Sequence, residues 1–174
     1  MPKTSRLALS AVLIALGVVL SIPGVGTFPA GPTKVYPFQH MINAISGIFL
    51  GPLYATFIAF AIGVIRNEIG TGTFFAFPGG IPGAIVVSLI YRYVKKSDFV
   101  ALTEPLGTAI GALISASFVA PLIGAKPSLP FLGLTAQWQL FLIFFWMSSI
   151  PGAIIGYFIV VLLRRRHVFE RIPL

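Results

Sequence analysis

Apolar runs recur from residue 5 to residue 163 of this chain, and no polar stretch between them is long enough to form a separate domain. This pattern constrains the fold more than any motif does. A helix needs about 20 largely apolar residues to cross the roughly 30 Å hydrocarbon core of a bilayer. Six segments are drawn on that basis, at about 5–22, 38–51, 53–69, 80–95, 102–122 and 138–163. Charged residues make up 9% of the 174 and mean hydropathy is +0.98, whereas a soluble domain carries about 25% charge. No soluble fold of this length can bury so much apolar surface, so the solvent is lipid. The expectation is an all-α integral membrane protein, a single six-helix domain over residues 1–174. Lys3 and Arg6 ahead of the first run imitate a signal peptide, but Ser21-Ile22-Pro23 is a poor cleavage site. The run is read as a retained span.

The net charge of +8 reports topology here rather than a nucleic-acid partner. Lysine and arginine concentrate on the cytoplasmic side of membrane proteins. With both ends inside, Lys3, Arg6, Arg92, Lys95, Lys96, Arg164, Arg165, Arg166 and Arg171 lie in the cytoplasm. Lys34, Arg66 and Lys126 lie outside, and these two groups account for all 12 cations. Small residues four apart, at Ala11/Ala15, Gly47/Gly51, Gly107/Gly111 and Gly152/Gly156, let helix backbones approach closely in lipid.

Segments two and three are short. "FQHMINAISGIFL" and "LYATFIAFAIGVI" each span about 20 Å at 1.5 Å per residue. Gly51-Pro52 turns the chain between them on the inner side, so their polar outer ends fall below the external surface. Polar groups at that depth persist only inside protein or against a water-filled cavity. The expectation is therefore a pocket open to the outside.

Gln39, His40 and Asn43 share one end of the second segment, and Arg66, Asn67 and Glu68 end the third. Ionisable groups at membrane depth are costly and mark functional sites. Each also has a packing account. Arg66 can snorkel or pair with Glu68, His40 can be a hydrogen-bonded packing residue, and Asn43 can join helices through its amide. Beyond Arg66, Thr71 and Thr73 offer hydroxyls, and Phe74, Phe75 and Phe77 offer flat apolar faces. Trp138 and Trp146 in "TAQWQLFLIFFW" are a second aromatic source, with Trp138 also placed for an interfacial belt. Glu104 falls near the inner end of the fifth segment, where a structural role is expected. The substrate-binding candidates are Gln39, His40, Asn43, Arg66, Asn67, Glu68, Thr71, Thr73, Phe74, Phe77, Trp138 and Trp146.

Motifs for hydrolytic chemistry are missing: there is no GxxxxGK[ST], HExxH or GxSxG. With no cysteine and one aspartate, Asp98, neither a metal nor a cofactor is expected. A small membrane-embedded enzyme using His40 and Glu68 as acid and base is the competing class, and a self-sufficient facilitator a third.

Six short spans, a long outer loop after the first, both ends inside and the first-span "AVLIA" together resemble the substrate-binding S components of energy-coupling factor (ECF) vitamin transporters. In that family an AxxxA motif contacts the shared transmembrane coupling subunit, and Ala11 and Ala15 match it. "QHMINAISGIFLGPLYA" and "RNEIGTGTFFAFPGG" look like the ThiW type, assigned to uptake of the thiazole precursor of thiamine. The resemblance implies a six-helix bundle of the S-component type in the cell membrane of a prokaryote. It also implies the transmembrane T subunit and two ATP-binding-cassette ATPases as partners, with hydroxyethylthiazole as substrate. Thiamine itself, a pyrimidine or another vitamin suits the same residues.

Overall fold

The computed structural model describes residues 2–30, 33–126, 128–129, 133–135 and 138–168. The expected all-α class holds. Helices α1 (Lys3–Leu20), α2 (Pro37–Phe49), α3 (Pro52–Glu68), α4 (Ala76–Leu89), α5 (Glu104–Ile114), α6 (Ala120–Leu122) and α7 (Trp138–Arg165) carry the chain. A π turn, Ile90–Val94, extends α4, and a 3-10 turn, Asp98–Thr103, leads into α5. A second π turn, Ser115–Val119, joins α5 to α6. Two antiparallel hairpins, β1 (Phe28–Ala30) with β2 (Thr33–Val35) and β3 (Ser128–Leu129) with β4 (Leu134–Thr135), lie in the loops before α2 and α7.

Among the described residues, four helical stretches are long and apolar enough to cross a membrane: Lys3–Leu20, Ala76–Val94, Asp98–Leu122 and Trp138–Arg165. By length, α2 with 13 residues and α3 with 17 fall short of that group. Arg171, counted among the inner cations, lies outside the described residues, as do Gly31, Pro32 and Pro127.

The short helix α2 is also the most enclosed. Nearly every residue of α2 is buried, polar and apolar alike, because α1, α3, α4 and α7 all pack around it. Its buried polar groups beyond the start are hydrogen-bonded, Asn43 to Glu104 and Ser46 to its own helix, as an interior position requires. Its core residues Ile42, Ile45 and Ile48 join Leu13, Ile58, Ile62, Val87 and Val160 in one cluster. Pro52 occupies the first turn of α3, where a missing N–H costs nothing, and Gly51 before it has φ +83°. A side chain there would strain the turn that folds α3 back along α2.

Small residues set the helix spacing. Gly152 of α7 lies against the Pro37 carbonyl and His40 of α2, and Gly156 lies against Ala44 and Met41. Gly107 and Gly111 of α5 meet the backbone of α4 at Pro82 and Pro78. A Cβ at any of these four positions would overlap the neighbouring helix. Two buried hydroxyls are satisfied within their own helices, Ser46 Oγ donating to the Ile42 carbonyl at 2.7 Å and Ser88 Oγ to that of Ala84 at 2.5 Å. In a lipid solvent no water would compensate them otherwise.

Candidate functional site

The end of α3 decides the geometry of the site. Gly70, at φ +74°, follows the last turn in the left-handed conformation that lets a helix close on itself. Its N–H donates to the Asn67 carbonyl at 3.1 Å, and the Thr71 N–H to the Arg66 carbonyl at 2.9 Å. Gly72 N–H donates to that same Arg66 carbonyl at 2.8 Å. This capped reversal carries "TGT" back over the helix instead of away from it. Asn67 fastens it, Nδ2 donating to the Gly63 carbonyl at 2.8 Å and to the Thr73 carbonyl at 3.1 Å.

A cavity of about 640 Å³ opens beside this reversal, between the starts of α2 and α4, the end of α3 and the first half of α7. One wall is aromatic: Phe75, Phe141, Phe144 and Phe145. Phe141 sits 5.0 Å from Phe75 and 6.2 Å from Phe145, centroid to centroid, in tilted arrangements. Lys34, Tyr36, Gln39, His40, Arg66, Thr71, Thr73 and Ser148 add polar groups to the lining. Backbone at Gly70, Gly72, Gly79 and Gly80 fills the remainder.

Arg66 is held but only partly satisfied. Its guanidinium carbon lies 4.1 Å from the centre of the Tyr36 ring, a cation–π distance. Nη2 donates to the Thr71 carbonyl at 3.4 Å, while Nε is buried with no hydrogen-bond partner. Tyr36 is fixed in turn: its N–H donates to Ser148 Oγ at 2.9 Å and its phenol to the Gly17 carbonyl. Burial pushes that phenol above its ordinary value despite the opposing pull of the Arg66 charge, so it remains a neutral donor. Thr71 Oγ1 also lies 2.9 Å from Ser21 Oγ, which ties the α3 reversal to the end of α1.

Behind His40 lies Glu104, fully buried. Its Oε1 accepts from His40 Nδ1 at 2.8 Å and from Asn43 Nδ2 at 2.9 Å, and its Oε2 accepts from Ser149 Oγ. Asn43 Nδ2 also reaches the Gly80 carbonyl at 2.8 Å, and Thr108 Oγ1 lies 3.2 Å from Ser149 Oγ. Four helices therefore meet on one carboxylate. Gly83 makes the room, since a Cβ there would collide with Oε1. The carboxylate also stands in the first turn of α5, where the helix dipole favours a negative charge. Glu104 was expected near the inner end of its segment. Its partner Ser149 lies well inside α7, and the 3-10 turn of residues 98–103, packed on α7 and α2, leads into the start of α5.

Of the twelve residues expected to bind substrate, Gln39, His40, Arg66, Thr71 and Thr73 line the cavity. The other seven stand elsewhere. Asn43 is fully buried behind His40, and Asn67 is occupied in the backbone reversal. Glu68 and Phe74 are exposed outside the lining. Phe77 packs on Phe60 at 5.7 Å and against Gly63, so it joins α3 to α4. Trp138 is exposed at the start of α7, and Trp146 Nε1 donates to the Pro105 carbonyl at 3.0 Å. The cavity instead takes Phe141, Phe144, Phe145 and Ser148. Their i, i+3, i+4, i+7 spacing puts them on one helix face, a signal present in "FLIFFWMS" that the tryptophans obscured.

Residues 7–166 match the family model described as thiamine-precursor transporter protein (ThiW). No curated protein and no solved structure matches the chain.

Proposed function

Because the chain belongs to the ThiW family of thiamine-precursor transporter proteins, we propose that it is the substrate-capture subunit of an energy-coupling factor transporter. It takes hydroxyethylthiazole from outside the cell for ATP-driven import. The family is one of transporters, so this is a membrane transport protein and not an enzyme. The acid–base pair of the competing reading is also split, His40 lining the cavity and Glu68 standing exposed outside it. In the proposed arrangement α2 and α3 complete a six-span bundle with both ends cytoplasmic. Buried by their neighbours, these two need not match the bilayer thickness themselves.

The observation that carries the reading is the cavity, lined by both aromatic and polar side chains at the starts of α2 and α4. A flat azole stacks on Phe75 and Phe141 while its side chain meets Gln39, His40, Arg66 or the two threonines. Affinity for so small a ligand demands enclosure. A thiazole alcohol has about nine non-hydrogen atoms, and the best tiny ligands reach roughly 1.5 kcal/mol per atom. Nanomolar binding needs about 12 kcal/mol, so nearly every atom must be covered. The hairpin β1–β2, which brings Lys34 to the cavity, is the lid in this reading, with β3–β4 as its counterpart before α7.

Coupling to the transmembrane T subunit and its two ATPases is assigned to α1. Ala11 and Ala15 are exposed on one face of it, where small side chains permit close helix approach. Titration calorimetry on the purified protein tests capture: hydroxyethylthiazole binds far more tightly than thiamine, whose added pyrimidine holds the lid open. Equal or tighter binding of thiamine removes the thiazole assignment. Uptake assays test coupling: Ala11→Trp and Ala15→Trp keep ligand binding and lose ATP-driven uptake in the complete transporter. Transport by the chain alone in liposomes would instead make it a facilitator.

A further inference from the structure

The cavity carries a charge imbalance. Lys34 and Arg66 line it, and no aspartate or glutamate does. The chain has only four acids, and among the described residues none is placed to balance them. Glu68 is exposed outside the lining, and Asp98 pairs with Arg164 at 2.7 Å. Glu104, behind His40, already accepts from three side chains, and Glu170 lies outside the described residues.

Arg66 makes the imbalance specific. Among the described residues it forms no ion pair. A guanidinium has five N–H donors in a planar fork, yet among the described residues Arg66 donates one hydrogen bond, to a carbonyl at 3.4 Å. Its Nε is buried and unpartnered. A cation among aromatic rings, away from bulk water, is costly without a counter-charge. Both α2 and α4 also begin at this cavity, adding the positive ends of two helix dipoles. Lys34 stands on β2 at the rim, exposed and able to swing over a bound ligand.

We propose that the site prefers an anionic derivative of the thiazole alcohol to the neutral alcohol itself, the small heteroaromatic ring carrying a carboxylate or phosphate monoester. Arg66 holds that group through its fork and Lys34 closes over it. This rests on reading the cavity as the substrate site. The same field explains exclusion of thiamine on a second ground, since its thiazolium is a permanent cation facing two others.

The experiment is calorimetry at low and high salt with four probes: hydroxyethylthiazole, its phosphate monoester, 4-methylthiazole-5-carboxylate and thiamine. An oxyanion-bearing azole binds at least about tenfold more tightly than the alcohol at low salt, and the gap narrows as salt rises. Lys34→Gln, at an exposed position, reduces the gap without threatening the fold, and Arg66→Gln abolishes it. If the alcohol binds as tightly as both anions, this inference falls and the transport reading stands. If the gap survives both substitutions, these residues are not the anion's partners and the inference also falls. If no azole binds at all, the thiazole reading falls and takes this inference with it.

Discussion

The two acidic side chains that meet a basic one among the described residues do so at nearly equal distances and in opposite surroundings. His40 and Glu104 meet at 2.8 Å with side chains 7% and 0% exposed, Arg164 and Asp98 at 2.7 Å with 44% and 24%. In the first, every oxygen of the carboxylate is engaged and four helices converge on it. In the second, Arg164 shares itself between Asp98 and the Tyr91 hydroxyl at 3.0 Å, near the end of the bundle. Distance alone would rank them equal. Desolvation separates them, because a buried charge left without its partner has no water to turn to, while an exposed one is solvated at once. The buried pair also reaches the cavity through His40, so its integrity bears on binding as well as on folding.

The strongest way to break this contrast is Glu104→Ala. Removing one member of a buried, hydrogen-bonded pair costs about 3–5 kcal/mol, and here Asn43 and Ser149 lose an acceptor too. Chemical or thermal unfolding in detergent should show a large loss of stability. Melting like that of the unsubstituted chain would mean the cluster tolerates a gap or admits water.

A gentler perturbation is Gly83→Ala, which keeps every polar group and only crowds the carboxylate. Overpacking of this kind costs about 1–3 kcal/mol. The expected signature is reduced stability together with weaker ligand binding, since a displaced Glu104 carries His40 with it. Reduced stability with unchanged affinity would uncouple the cluster from the cavity.

On the cavity side, Arg66→Ala and Asn67→Ala distinguish neighbours that sequence treats alike. Loss of the Arg66 donors should weaken ligand binding by about 1–3 kcal/mol, roughly five- to 150-fold. Asn67→Ala acts through the backbone reversal, so its main effect should fall on thermal stability. Calorimetry and melting on both variants check the assignment, and the reverse pattern would exchange their roles.

The smallest effect is expected at the exposed pair. Asp98→Asn should change stability by less than about 1 kcal/mol, with the difference shrinking as salt is added. A loss comparable to that of Glu104→Ala would show that burial is not what separates the two pairs.

Much of this protein was legible in its residues taken in order. The scarcity of charge and recurrence of apolar runs dictated a helical membrane protein, because backbone polar groups in lipid must pair within their own segment. Part of the stretch "RNEIGTGTFFAFPGG" lines the cavity, where Arg66, Thr71 and Thr73 meet Gln39 and His40. What the order of residues left open was which member of each close group faces inward. Asn67 and Arg66 are adjacent, but the capped reversal at Gly70 occupies one side chain and frees the other. Phe74, Phe75 and Phe77 are equivalent by composition, and the start of α4 turns only Phe75 into the cavity. Glu104 is 64 residues from His40, with no local pattern linking them. Only the packing of α2, α4, α5 and α7, spaced by glycines, brings that carboxylate to its donors. Polarity and period are properties of a segment and can be read from it. Facing and partnership are properties of the assembled bundle, because they depend on which backbone can approach which.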